Sequence, residues 1–360
     1  MLRKFVLRSR RSMRKRFIPL ILILCLFLTG CSIDMKSLFV KNEEAPLSNL
    51  SAEALYFDGK TAREKTIELI TSAQKSIYIE QKIFSDPALK ELIIQKAASG
   101  IEIRILLDQF ETPNKATLNE FKSNNISVQY YPAQKGQTDE AKFLIVDLRE
   151  AMVYSFPWSD KGFSSHNLAV NLSGRSVWKL ASVFNRDWVF TTTLSLDIPK
   201  TTELAEDNIA VAANSNVKAQ LLDQIQKSTT NICIIASHVT DADIVQALVD
   251  ATGKGLDIKV ILDSGIMPSN YPNTIENFKA AGIQIRYYNS VAHPPLDINL
   301  GIFDRNTFIL SSSGWGYKAF VMNHEVSVTV PSPVASQELI TRFDQDWLNS
   351  SATPPVQEPG

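Results

Sequence analysis

The strongest constraint on this chain is that it contains one unit written twice. GIEIRILLD at 100–108 returns as GLDIKVILD at 255–263, ISVQYY at 126–131 as IQIRYY at 283–288, and FNRDW at 184–188 as FDQDW at 343–347, at offsets of 155, 157 and 159. Three matches in the same order, with only small indels between them, mark a duplication, and a duplicated unit folds into two similar bodies. Each copy opens with an amphipathic helical stretch, KTIELITSAQ or AQLLDQIQKS, and passes into a strand-like run, SIYIEQKIF or NICIIASHV. A helix is predicted next. Asp86 serves as its N-cap in the first copy, with Pro87 at the first helical position, Leu89, Leu92, Ile93 and Ala97 as the apolar stripe and Gly100 as the stop; Asp241 and Gly255 play the same parts in the second. The runs IEIRILLD and LDIKVILD are almost continuously apolar, which suits parallel strands covered on both faces. This alternation predicts two α/β sandwich lobes, at 56–195 and 205–350, joined near the polar stretch TTTLSLDIPKTTELAE.

The two ends read differently. MLRKFVLRSRRSMRKRF is basic without an acid, and the apolar run IPLILILCLFL behind it is short for a membrane span of roughly 20 residues, so residues 1–30 read as a secretory signal. The run closes on Leu28-Thr29-Gly30-Cys31, which resembles the bacterial lipobox, and makes Cys31 the candidate lipid anchor; an uncleaved anchor helix is the alternative. Both readings place the body outside the cytoplasm, and the first puts it at the outer face of the bacterial cytoplasmic membrane. Residues 31–55 are expected to be a tether and residues 351–360 a disordered tail. The leader carries eight of the 37 basic residues, so its removal leaves 29 against 38 acidic residues, a formal net charge of −9. That balance disfavours nucleic acid as a partner, because a polyanion is held by lysine and arginine. Once Cys25 and Cys31 are accounted for, Cys233 has no partner, and its apolar surroundings predict a buried, inert thiol.

Within the duplication, EAKFLIVD at 140–147 falls on DINLGIFD at 297–304. Lys142 and Asp147 keep the spacing of a His-x-Lys-x-x-x-x-Asp motif, and the same position recurs in the second copy, so the chain resembles the phospholipase D superfamily over about residues 56–348. The resemblance implies a pair of units about a pseudo-dyad, each giving half of one active site. It also implies a histidine nucleophile, a histidine acid, lysines on the phosphate oxygens and aspartates that orient the rings. This sequence has Glu140 and Asp297 at both histidine positions and Asn299 at the second lysine position, while Lys142, Asp147 and Asp304 remain. The Gly-Ser-x-Asn element is represented by Ser155 and Ser312 without its asparagines. The Asn-x-Glu element is kept as Asn323-His324-Glu325 and stands as Asn167-Leu168-Ala169 in the first copy.

These substitutions predict a lipid-anchored protein with a degenerate site and a binding or scaffolding role, its partners being the membrane through Cys31 and a phospholipid or an envelope protein. The competing class is an active phosphodiesterase or phosphatidyltransferase of the cardiolipin synthase type; a nuclease is opposed by the same residues and by charge. His238 and His293 are read as rim residues, since neither is followed two positions later by lysine. Lys142 is the sole cation that the motifs supply to the site. No cofactor is implied. Glu140, Asp147, Asp297 and Asp304 offer hard oxygen ligands without a ligand-spacing motif, so no metal is expected, and the ordinary reading of Asp147 and Asp304 is as strand-end hydrogen-bonding groups.

Overall fold

A computed structural model describes residues 46–266, 271–290 and 292–354. The leader, Cys31 and the first part of the expected tether lie outside the described residues, as do residues 355–360 of the tail. The first lobe runs β1 (Leu55–Tyr56), α1 (Gly59–Ser72), β2 (Ser76–Gln81), α2 (Pro87–Ala98), β3 (Glu102–Asp108), α3 (Pro113–Ser123), β4 (Ser127–Tyr131), β5 (Lys142–Val146), β6 (Glu150–Tyr154), α4 (Asp160–Phe163), β7 (Ala169–Leu172) and α5 (Arg175–Thr192). The second runs β8 (Ala210–Ala213), α6 (Ser215–Lys227), β9 (Asn231–Ala236), α7 (Ala242–Gly253), β10 (Asp257–Asp263), α8 (Tyr271–Ala281), β11 (Gln284–Tyr288), β12 (Leu300–Phe303), β13 (Thr307–Ser311), β14 (Val326–Val330) and α9 (Pro333–Asn349).

Each lobe holds a seven-stranded sheet, β4-β3-β2-β5-β6-β7-β1 in the first and β11-β10-β9-β12-β13-β14-β8 in the second, which is the same path walked twice. The apolar strands β2, β3 and β4 pair in parallel, while the motif strand β5 enters antiparallel beside β2, and β9 to β12 repeat that arrangement. The sheets are therefore mixed.

Local chemistry accounts for the elements. Asp86 accepts from Leu89 N at 2.9 Å and Asp241 from Asp243 N and Ile244 N, each satisfying an amide that the helix itself cannot. Gly100 and Gly255, at φ +89 and +95, make the left-handed exit that a side chain would disfavour. The outer face of each sheet buries its own core, around Phe84, Phe121 and Trp158 in one lobe and Phe278, Phe303 and Trp315 in the other. The inner faces share a third core that includes Phe143, Val170 and Phe184 of the first lobe with Ile235, Leu300 and Phe343 of the second. This common core fuses the lobes.

Two terminal expectations are corrected. Residues 46–55 are not a free tether: Ser48 N donates to Pro331 O at 2.7 Å, the Ser332 hydroxyl to Leu50 O at 2.7 Å, and β1 joins the first sheet beside β7. Ser351, assigned from sequence to a structureless tail, exchanges both backbone hydrogen bonds with Tyr287 on the edge strand β11. Both segments satisfy main-chain groups of an edge, a contact with no local period in the sequence. Cys233 is buried, and burial pushes its thiol up to about 12.

Candidate functional site

The two motif strands deliver their first residues to one cleft between the lobes, a cavity of about 630 Å³ lined by Lys82, Glu140, Lys142 and Ser155 from one side and His238, Asp297, Asn299, Ser312 and Ser313 from the other. Each motif position is pinned by the opposite lobe. Glu140 N donates to His324 O at 2.8 Å and His324 N to Thr138 O at 2.9 Å; symmetrically, Asp297 N donates to His166 O and His166 N to Pro295 O, both at 2.9 Å.

Charge is distributed unequally about this dyad. Glu140 meets Lys82 at 2.7 Å and Lys142 at 3.3 Å. Lys142 Nζ also donates to Glu140 O at 2.8 Å and to Ser312 O at 2.7 Å, so all three of its N–H groups are taken by the protein. Burial alone would raise the Glu140 carboxyl, but Lys142 and Lys82 hold it below its usual value. In the second lobe the places of Lys82 and Lys142 are held by Ser237 and Asn299, neutral groups bonded to each other: Ser237 N and its hydroxyl both donate to Asn299 Oδ1, at 3.0 and 3.1 Å. Burial pushes Asp297 up and pushes His238 down, leaving a neutral imidazole on the cleft wall.

The serines act alike in both halves. Ser155 N donates to Leu168 O and the Ser155 hydroxyl accepts from Leu168 N at 3.0 Å; Ser312 does the same with Val326. In the second lobe Glu325 accepts from the Ser312 hydroxyl, from the Ser313 hydroxyl at 2.6 Å and from Asn323 Nδ2 at 3.3 Å. Burial, then the charge of Glu140, pushes Glu325 up to about 7.

A family profile described as "Cardiolipin synthase, PLD-like domain" matches residues 66–188 and 221–347, one segment in each lobe. The chain belongs to the phospholipase D superfamily. A cardiolipin synthase of Clostridium perfringens strain 13 is 21% identical over 89% of this chain and 76% of its own length. A mitochondrial cardiolipin hydrolase of Chlamydomonas reinhardtii is 23% identical over 36% of this chain and 56% of its own. The crystal structure of phosphatidylserine synthase from Haemophilus influenzae superposes with a TM-score of 0.65 at 10% identity, covering 87% of this chain and 90% of that one. Polyphosphate kinase from Porphyromonas gingivalis gives 0.60 at 13% identity, covering 81% and 46%. At these identities the solved structures establish the fold.

In this phospholipase D-like chain three details bear on the motif-level expectation, the first of them the strand-end role read for Asp147 and Asp304. Asp147 and Asp304 do not reach the cleft: each ends its motif strand five residues beyond the lysine position, roughly 16 Å away at about 3.3 Å per residue. Each instead ties down the start of the neighbouring strand. Asp147 accepts from the amides of Gln74, Lys75 and Ser76, and Asp304 from those of Thr229, Thr230 and Asn231. Both open three-residue hairpin connections at φ +54 and +50, where aspartate is among the better tolerated side chains. A role in orienting a ring at position 140 or 297 is excluded by that placement, and the four motif carboxylates do not converge on one ion.

The second detail is register. The backbone bridges align His166-Asn167 with His324-Glu325, so Asn167, and not Ala169, stands where Glu325 does; it donates to Gly162 O at 2.9 Å. Sequence alignment on the asparagines alone slips this element by two residues. The third is Lys82, a second cation beside Glu140 that the motifs do not mark. Its signal was its place just after β2, at the strand end where α/β folds build sites. His238 lines the cleft and His293 is exposed, whereas His166 and His324 lie between the lobes.

Proposed function

We propose that this protein is a membrane-anchored phospholipase D-like protein whose cleft binds without turning over phosphodiesters, serving as a binding or scaffolding element at the cell envelope. The observation that carries this reading is the internal ion pair. Glu140 stands at the histidine position and occupies both Lys82 and Lys142, so a carboxylate of the chain takes the charge that an anionic substrate would need. With carboxylates at both histidine positions the chain lacks the nucleophile and acid that the family motif supplies, and such general acid or base help is commonly worth about 10²–10⁴-fold. The expected ligand is a phospholipid or an envelope protein within reach of the anchor. Among the described residues no helix is long and apolar enough to cross a membrane. Attachment is assigned to Cys31, whose diacylglyceryl adduct would give the two-chain strength that one acyl chain lacks.

The test is turnover of phosphatidylglycerol by the purified full chain in detergent, beside the triple variant Glu140→His, Asp297→His, Asn299→Lys. No turnover by the wild type is expected; robust wild-type turnover abolished by Glu140→Gln with Asp297→Asn would establish carboxylate chemistry instead. Cys31→Ser should release the protein from the membrane fraction. A second reading, a surviving phosphatidyltransferase, is favoured by the neutral His238 on the cleft wall and by the cardiolipin synthase relatives. Loss of wild-type turnover on His238→Gln would select it.

A further inference from the structure

Beneath the cleft the lobes meet at two dyad-related histidines, and the two sites are built to different charges. In one, His166 Nε2 meets Asp346 Oδ2 at 2.9 Å, Arg342 donates to Nδ1 at 3.0 Å, and Tyr288 stacks on the ring. Every polar atom of that imidazole has a partner. In the other, Tyr131 stacks on His324 and Asp187 stands where Asp346 does, but Glu80 and Asp139 replace Ile235 and Leu296. Packing the interface needs one carboxylate. This site holds three.

Glu80, Asp139 and the imidazole gather in one cluster, and Asp187 stands against the same imidazole. His324 Nε2 lies 3.3 Å from Glu80 Oε1 and 3.3 Å from Asp187 Oδ2, and the ligand atoms of Glu80, Asp139 and His324 all fall within 4.8 Å of one another. Glu80, Asp139 and His324 are buried, as is Asp187. Both oxygens of Glu80, Oδ2 of Asp139, Oδ2 of Asp187 and Nε2 of His324 lack hydrogen-bond partners. Arg186 meets only the other oxygen of Asp187, at 3.4 Å from the solvent side. Unpaired groups of this kind are costly to bury, and the His166 site shows that the fold does not require them.

The imidazole is set for a ligand. Asn214 Oδ1 accepts from Glu325 N at 3.2 Å, which identifies it as the carbonyl oxygen; His324 Nδ1, 2.8 Å from the same atom, is therefore the donor. That bond leaves Nε2 aimed at the carboxylates and fixes the ring, as the outer partner of a metal-bound histidine does. Bonds of about 2.0–2.1 Å in a tetrahedron separate neighbouring ligand atoms by about 3.3 Å, the distance of His324 Nε2 from both Glu80 and Asp187. A surface cavity of about 350 Å³, lined in part by His324, Tyr131 and Asn214, lies beside the cluster.

We propose that His324, Glu80 and Asp139, with Asp187 against the same imidazole, form a site for a divalent transition metal of zinc type that staples the first lobe to the second. An imidazole among carboxylates suits such a borderline ion, whose charge would offset the acidic groups gathered there.

The experiment uses the full chain in detergent, stripped with a chelator, desalted and exposed to Zn2+ or Co2+ alone. Retention of about one equivalent of Zn2+, a higher melting temperature with Zn2+, and visible d–d absorption with Co2+ are the expected results. Asp139→Asn, which keeps the shape, should weaken retention by more than about tenfold, while Asp346→Asn at the dyad mate should keep it. Stripped wild-type protein that retains no metal and does not shift with excess Zn2+ overturns the proposal, and means that protons neutralise the cluster. Equal retention by wild type, Asp139→Asn and His324→Gln also overturns it, placing the metal elsewhere in the chain. The wild-type arms decide even if His324→Gln does not fold.

Discussion

Lys142 of the first lobe donates to the carbonyl of Ser312 in the second at 2.7 Å, so the lysine position of the motif is also a bolt across the lobe boundary. Its side chain is almost wholly buried, and its other two N–H groups go to Glu140. Replacing it removes a cation from a buried network and leaves acceptors unpaired. Lys142→Ala should destabilise the protein by about 3–5 kcal/mol, read by denaturant unfolding. A loss under about 1 kcal/mol would mean that the network carries no stability.

Glu140 competes with any anion for Lys82 and Lys142. The wild type should therefore give no thermal shift with millimolar tungstate, whereas Glu140→Gln, which keeps the shape and frees both cations, should give one. The same substitution should cost about 2–4 kcal/mol in the absence of anion, the lower end reflecting the partial exposure of Lys82. A wild-type shift that Lys142→Ala abolishes would show that the cleft still holds phosphate, and would count against the non-catalytic reading.

Asp304 gives a pH dependence whose sign is fixed by its surroundings. Burial alone would raise its carboxyl, but the amides and hydroxyls of Thr229, Thr230 and Asn231 hold it below the ordinary 3.8. A carboxyl depressed in the folded state stabilises fully above its unfolded value and loses that contribution as the pH falls through the lower folded value. Asp304→Asn should cost about 2 kcal/mol at neutral pH, from the lost charge-assisted bonds. The gap between variant and wild type should close in urea titrations taken from pH 5 down through pH 3. A gap independent of pH would remove ionisation from the account.

Gly314 lies where a side chain cannot. A Cβ there would press on the Ser237 hydroxyl and stand 2.5 Å from Nδ1 and Cε1 of His238. Gly314→Ala should push the imidazole out of place and cost about 1–3 kcal/mol in melting experiments. Unchanged stability would show that His238 moves freely on the cleft wall.

The order of elements was legible because it is local and repeated. The offsets between GIEIRILLD and GLDIKVILD and between the motif strands are reproduced as one sheet order walked twice, and Asp86 and Asp241 cap helices because a cap is chosen by residues two or three positions away. The missing histidines were legible for the same reason: a substitution inside a spaced motif needs no fold to be seen. What the chain could not disclose was who faces whom across the dyad. His324 of the second lobe is 244 residues from Glu80 and 137 from Asp187 of the first, yet each pair stands at 3.3 Å, and even within one lobe Lys82 meets Glu140 across 58 residues. The register of Glu325 against Asn167 was likewise set by strand pairing, which acts on backbone position, whereas the strand-end role of Asp147 and Asp304 was already legible in the sequence. Sequence spacing encodes partners within one element or one turn. A contact between lobes depends on how two sheets and their shared core settle against each other, and that is decided only when both have folded.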